Sequence, residues 1–206
     1  MIPRYQRIFF WSLVAGILLM AAFLVHGCQQ AHKRLAALND ATPIAAPTTA
    51  STEEVALYLA NDADGTITST RDQVALPQDS TLRARTLLEH LLAQYSQPNS
   101  THPLQPGPAI DDVFLLTNPD PAIPGQLAVI NLHSAFVDNH PSGILTESLT
   151  IQSIVGTLHA ALPEITHIRF LVDGQPRDTL AGHADLSSFY DVTTVNQLAA
   201  QLQPTQ

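Results

Sequence analysis

Eighteen consecutive residues, Ile8 to Val25, carry no charge, and no other stretch restricts the organisation of the chain as much. Coiled as a helix, a run of this length reaches the short end of what crosses a bilayer, roughly 17–25 residues. It exceeds the roughly 7–15-residue apolar centre of a secretory signal. The reading is a spanning anchor at residues 8–27 behind a cytoplasmic start at residues 1–7. Arg4 and Arg7 favour an N-terminus held inside, although Lys33 and Arg34 flank the far end. The sequence thus predicts a single-pass protein of a bacterial inner (cytoplasmic) membrane, with its soluble part extracytoplasmic. The alternative is a cleaved lipoprotein signal with lipid attached at Cys28, which follows the apolar run directly in Leu24-Val25-His26-Gly27-Cys28. Cys28 is the only cysteine, so no internal disulfide is available.

Charge divides at the same place. Residues 1–38 hold four basic side chains and no acid, whereas residues 39–206 hold all 18 acids and five arginines. A soluble part this acidic does not suit nucleic acid, whose phosphates attract basic surfaces, and does not suit anionic lipid.

Residues 28–52 read as a juxtamembrane segment and a flexible linker, because Asn39 to Thr52 is rich in Ala, Thr and Pro without periodicity. A domain follows at residues 53–190, with a C-terminal tail at residues 191–206. Val55–Ala60 alternates as a strand, and Asp64-Gly65 turns the chain into a second extended segment, Thr66–Leu76. The same acids are not a calcium loop, since the first and twelfth positions are Ala60 and Arg71. Asp79 or Ser80 caps a helix over Thr81–Tyr95, whose apolar stripe is Ala84, Leu87, Leu88, Leu91, Leu92 and Tyr95.

Four prolines between Gln97 and Asp112 exclude regular structure there. Strands are expected at Val113–Thr117 and Leu127–Leu132, then a loop from His133 to Pro141. Thr146 and Glu147 open a second helix, stopped by Pro163 and buried through Ile151, Ile154, Val155, Leu158 and Leu162. Gly156 inside it implies a close approach by another element. The helix returns to a strand at Ile165–Val172, which makes the flanking strands parallel. Val192–Leu202 suits one more short helix. The predicted fold class is α+β: two helices packed on one face of a mixed four- to five-stranded sheet, a split-βαβ arrangement.

No catalytic constellation stands out. Ser134, Asp138, His133 and His140 are triad ingredients without a glycine-flanked nucleophile turn. Asp173, His183 and Asp185, with His133, His140 and His167 elsewhere, offer metal-ligand types without the spacing of a metal motif. No cofactor is expected. Asp173-Gly174 suits a tight turn.

Several segments, in order, resemble the GerMN domain of spore-germination and sporulation proteins. Val55–Ala60 with Asp64-Gly65 looks like its opening strand and turn. Ile130-Asn131-Leu132-His133-Ser134-Ala135-Phe136 resembles its Val-Asp-Leu-Ser-x-x-Phe segment, and Thr157-Leu158 its helical Thr-Leu pair. Leu171-Val172-Asp173-Gly174 and Thr179-Leu180-Ala181-Gly182-His183-Ala184-Asp185-Leu186 resemble its closing segment. The resemblance implies a non-enzymatic extracytoplasmic module, similar to ring-building folds. Its partners would be envelope or peptidoglycan-associated proteins or further copies of itself. It also implies structural roles for Asn131, Phe136, Asp173, Gly174, Gly182, His183 and Asp185. The alternative function is a wall-associated ligand-binding or metal-dependent enzyme domain.

Overall fold

A computed structural model of the chain describes residue 20, residues 51–118 and residues 124–201. The expected anchor (residue 20 apart), Cys28 and the linker up to residue 50 lie outside the described residues, among which no helix is long and apolar enough to cross a membrane. The chain divides into two compact units, Met1–Thr48 and Thr49–Gln206. The second is described below.

Its elements run β1 (Ser51–Asn61), β2 (Thr66–Leu76), α1 (Ser80–Tyr95), β3 (Ile110–Thr117), β4 (Gln126–Leu132), α2 (Ser134–Asp138), α3 (Ile144–Ala161), β5 (Ile165–Val172), β6 (Tyr190–Asp191) and α4 (Val192–Gln201). The mixed α+β class holds, but the single sheet does not. β1 and β2 form a separate antiparallel hairpin, and β3-β4-β5-β6 form a four-stranded sheet with the β4–β5 pair parallel and the other pairs antiparallel.

The hairpin stays apart because side chains occupy the edge of β1 where another strand would pair. The Tyr58 amide donates to Thr157 Oγ1 (2.9 Å) and its carbonyl accepts from the hydroxyls of Ser153 and Tyr95. The Ala60 amide donates to the Tyr95 hydroxyl (2.9 Å), the Ala60 carbonyl accepts from Thr101 Oγ1 (2.8 Å), and the Asp62 amide reaches the Thr101 carbonyl (2.9 Å). Buried backbone groups need partners, and here hydroxyls replace a neighbouring strand. Gly156 makes the approach possible, since a Cβ there would lie 2.9 Å from Tyr58 Cγ.

α1 follows the expected pattern. Asp79 caps it by accepting from the Leu82 amide, and its buried residues are the six of the stripe. α3 begins two residues earlier than expected, at Ile144, and packs against β1, α1, α4 and β5. With neighbours on so many sides it buries Glu147, Thr150, Ser153 and Thr157 beside its apolar residues. The expected loop at His133–Pro141 contains the short helix α2, started by His133 Nδ1 accepting from the Ala135 amide (3.0 Å).

Candidate functional site

The family-like residues gather where β4, β5 and α3 meet the segment after Val172. At the tip of β5, Asp173 (φ 47°) and Gly174 (φ 74°) make the expected tight turn, and Val172 and Gln175 exchange both backbone hydrogen bonds across it. Two side chains from the β4–α2 junction and the turn cross over to hold it. The Gly174 amide donates to Asn131 Oδ1 (2.6 Å), and the Ser134 amide donates to Asp173 Oδ1 (2.9 Å). The Ser134 side chain and amide together hold the Asp173 carboxyl below its ordinary range.

The second knot centres on Glu147, whose side chain is fully buried. One oxygen, Oε2, accepts from the amides of Ala181, His183 and Ala184, each at 2.9 Å. The other, Oε1, accepts from the Gly143 amide (3.0 Å) and from His183 Nδ1 (2.8 Å). Burial pushes this carboxyl up, but the Ala184 and Gly143 amides, the His183 ring and the Ala181 amide together outweigh it and lower it to about 2. Glu147 therefore folds the loop at Ala181–Ala184 over the start of α3. Gly182, at φ 120°, allows the backbone to present those amides. Sequence reasoning placed Glu147 only as a helix opener. The available signal was the run Ala181-Gly182-His183-Ala184, whose closely spaced amides need an acceptor.

A third polar group runs through the interior. His102 is fully buried, with Nδ1 2.6 Å from Asp62 Oδ1 and Nε2 2.7 Å from Thr150 Oγ1. His140 donates from Nδ1 to the Pro141 carbonyl (2.8 Å) and meets the same Thr150 hydroxyl through Nε2 (2.9 Å). Burial lowers the His140 pKa.

The triad ingredients do not converge. Ser134 is committed to Asp173, Asp138 pairs with Arg177 (2.8 Å), His133 caps α2 and His140 faces Thr150. Nor do Asp173, His183 and Asp185 meet: His183 turns to Glu147, and Asp185 accepts from Ser187. His167 stands 3.7 Å from Asp191. Among the described residues no three His, Cys, Asp or Glu side chains are placed to hold a metal. Asp64 accepts from Thr66 and Asn61, which makes its loop a turn. A cleft of about 570 Å³ opens between α1 and the Pro-rich segment, lined by Arg85, Glu89, Leu92, Leu104, Pro106 and Phe136. Its Arg85 already pairs with Glu89 and Asp112.

The chain matches a family model described as sporulation and spore germination over residues 56–178, a span that takes in Asn131 and Asp173. The chain belongs to this family. Solved structures similar to this member of the sporulation and spore germination family include a candidate lipoprotein from Clostridium perfringens, at 21% identity over 77% of this chain and 100% of that one, with a TM-score of 0.36. Another is the first GerMN domain of the sporulation protein GerM from Bacillus subtilis, at 16% identity over 66% of this chain and 95% of that one, TM-score 0.38. The tandem GerMN domains of the same protein match at 17% identity over 67% of this chain and 45% of theirs, TM-score 0.39, so this chain spans a little under half of the pair. No curated protein matches the chain.

Proposed function

We propose that this family member is a non-catalytic interaction module of the bacterial cell envelope. In this reading it is tethered by residues 8–27, or by lipid on Cys28, and holds envelope or peptidoglycan-associated proteins, or a second copy of itself, in a sporulation or germination setting. The observation that carries the reading is the commitment of the reactive side chains. Glu147, Asp173 and Asn131 each hold backbone of the same domain, and the His183 ring is spent on the Glu147 carboxylate. A buried carboxylate lowered to about 2 and fully surrounded by donors is arranged to stay ionised and still, which suits fixing a loop. Native electrophoresis of detergent-solubilised membranes tests this: the full chain migrates in complexes larger than a monomer, and external protease trims it in spheroplasts. A chain that runs only as a monomer, or is fully protected from the protease, refutes the reading.

The cleft beside α1 favours a second reading, a wall-associated ligand-binding or metal-dependent enzyme domain. Metal analysis of the purified chain separates the two, because stoichiometric zinc reverses their order.

A further inference from the structure

Alternation along β3, β4 and β5 sorts the four-stranded sheet into two faces. Val113, Ile130 and Phe170 form one cross-strand row, Ala128 and Ile168 another, and all are buried with the helices. The opposite face carries the row Phe114–Val129–Arg169 and the row Leu116–Leu127–His167. Leu127 is buried there, but the apolar groups around it are open: Phe114 is 49% exposed, Leu116 48% and Phe189 51%, the last lying under the Arg169 guanidinium at 5.0 Å.

Arg169 differs from the other arginines of this acidic unit. Arg71 pairs with Glu54, Arg83 with Glu53, Arg85 with Glu89 and Asp112, and Arg177 with Asp138. Among the described residues Arg169 has no carboxylate partner. Stacking on an aromatic face engages the plane of a guanidinium and leaves its N–H edge free for a bidentate acceptor. An apolar surface whose cation meets no carboxylate among the described residues, on a unit where acids far outnumber bases, selects a partner that brings its own carboxylate.

We propose that this face docks an extended acidic–apolar segment of another envelope protein, whose carboxylate pairs with Arg169 while its alternate apolar side chains cover Phe114, Leu116 and Phe189. The proposal deepens the interaction-module reading and rests on it. Phe114 and Leu116 are two residues apart, about 7 Å, the spacing of same-side residues on an extended peptide. Phe114 and Arg169 lie two strands apart, about 10 Å, which three extended residues span. A second copy suits the face less well, since docking two acidic units brings like charge together.

The test uses the full chain in nonionic detergent and fluorescence anisotropy. The probes are three matched pools of short labelled peptides that alternate Val, Leu or Phe with Ser around one central Glu, Gln or Lys. The Glu pool binds about tenfold tighter than the Gln pool, as loss of a central interface arginine contact implies, and the Lys pool binds weakest. Arg169→Gln removes the preference, and Phe114→Ser weakens every pool; circular dichroism confirms that both variants remain folded. Equal binding of the Glu and Gln pools, or a preference that survives Arg169→Gln, overturns the proposal. So does sedimentation showing a dimer that excludes the peptides. On native gels, complexes unchanged by Arg169→Gln overturn this surface and leave the module reading standing. Absence of complexes in the unmodified chain refutes the module reading itself.

Discussion

Replacing Glu147 probes the knot that holds the closing loop. In the native structure its carboxylate receives five hydrogen bonds from donors at 2.8–3.0 Å in a fully buried setting. Glu147→Ala strands those donors and costs about 3–5 kcal/mol, the range for removing one partner of a buried ionic contact. That is a large share of the roughly 5–15 kcal/mol that holds a domain together. Glu147→Gln is milder. Its amide oxygen can keep the three amides now on Oε2, while its NH2 faces the Gly143 amide and loses that bond.

Linkage expresses the same contacts as a dependence on pH. A carboxyl lowered on folding from 4.5 to about 2 contributes about 3 kcal/mol near neutral pH. The sign follows from the depressed value: this stability is fully present above pH 4.5 and declines as pH falls from 4.5 towards 2. Urea unfolding of residues 49–206, followed by far-UV circular dichroism because the only tryptophan is Trp11, measures both effects. The stability gap between the native sequence and Glu147→Gln narrows from pH 6 to pH 3. The reasoning is refuted if Glu147→Ala unfolds within 1 kcal/mol of the native sequence, or if the gap is flat across that pH range.

Other perturbations address the hairpin. Gly156→Ala places a methyl 2.9 Å from Tyr58 Cγ, so overpacking outweighs the gain in helix propensity; a net loss of about 1–2 kcal/mol in urea unfolding is expected, relieved when Tyr58 is shortened in the same chain. Tyr95→Phe removes the hydroxyl that serves the Ala60 amide and contacts Ser153 and the Tyr58 carbonyl. Hydrogen exchange at Ala60 then accelerates, with a stability loss of about 1–3 kcal/mol.

Much of the fold was legible locally. The stripe from Ala84 to Tyr95, the Asp79 cap, the Asp64-Gly65 and Asp173-Gly174 turns and the parallel return through α3 are all short-range patterns, and the structure contains them. What escaped depends on contacts between distant residues. Glu147 reads as an ordinary first-turn acid until a loop more than thirty residues later brings three amides to it. The separate hairpin escaped for a similar reason. Ser153 and Thr157 look like neutral helix residues, and nothing local says that their hydroxyls close the edge of β1. The stretch that forms α2 reads as loop in the sequence because five residues hold too few turns for a helical period. Asn131, Asp173, Gly182 and His183 stand out in the sequence through a resemblance; the geometry adds that Asn131 and Asp173 hold backbone within the domain, while Gly182 and His183 lie in the loop that Glu147 holds.

Capture of a partner in living cells tests the central claim most directly. Lys33 is the only lysine, so amine-reactive reagents cannot report on the domain, and a photoreactive phenylalanine analogue placed at Phe114 or Phe189 is the suitable probe. The account predicts discrete covalent adducts from these positions on the open sheet face, and none from a control position buried in α1. Illumination that yields only the monomer from either site, and from a scan of the remaining exposed positions, contradicts it.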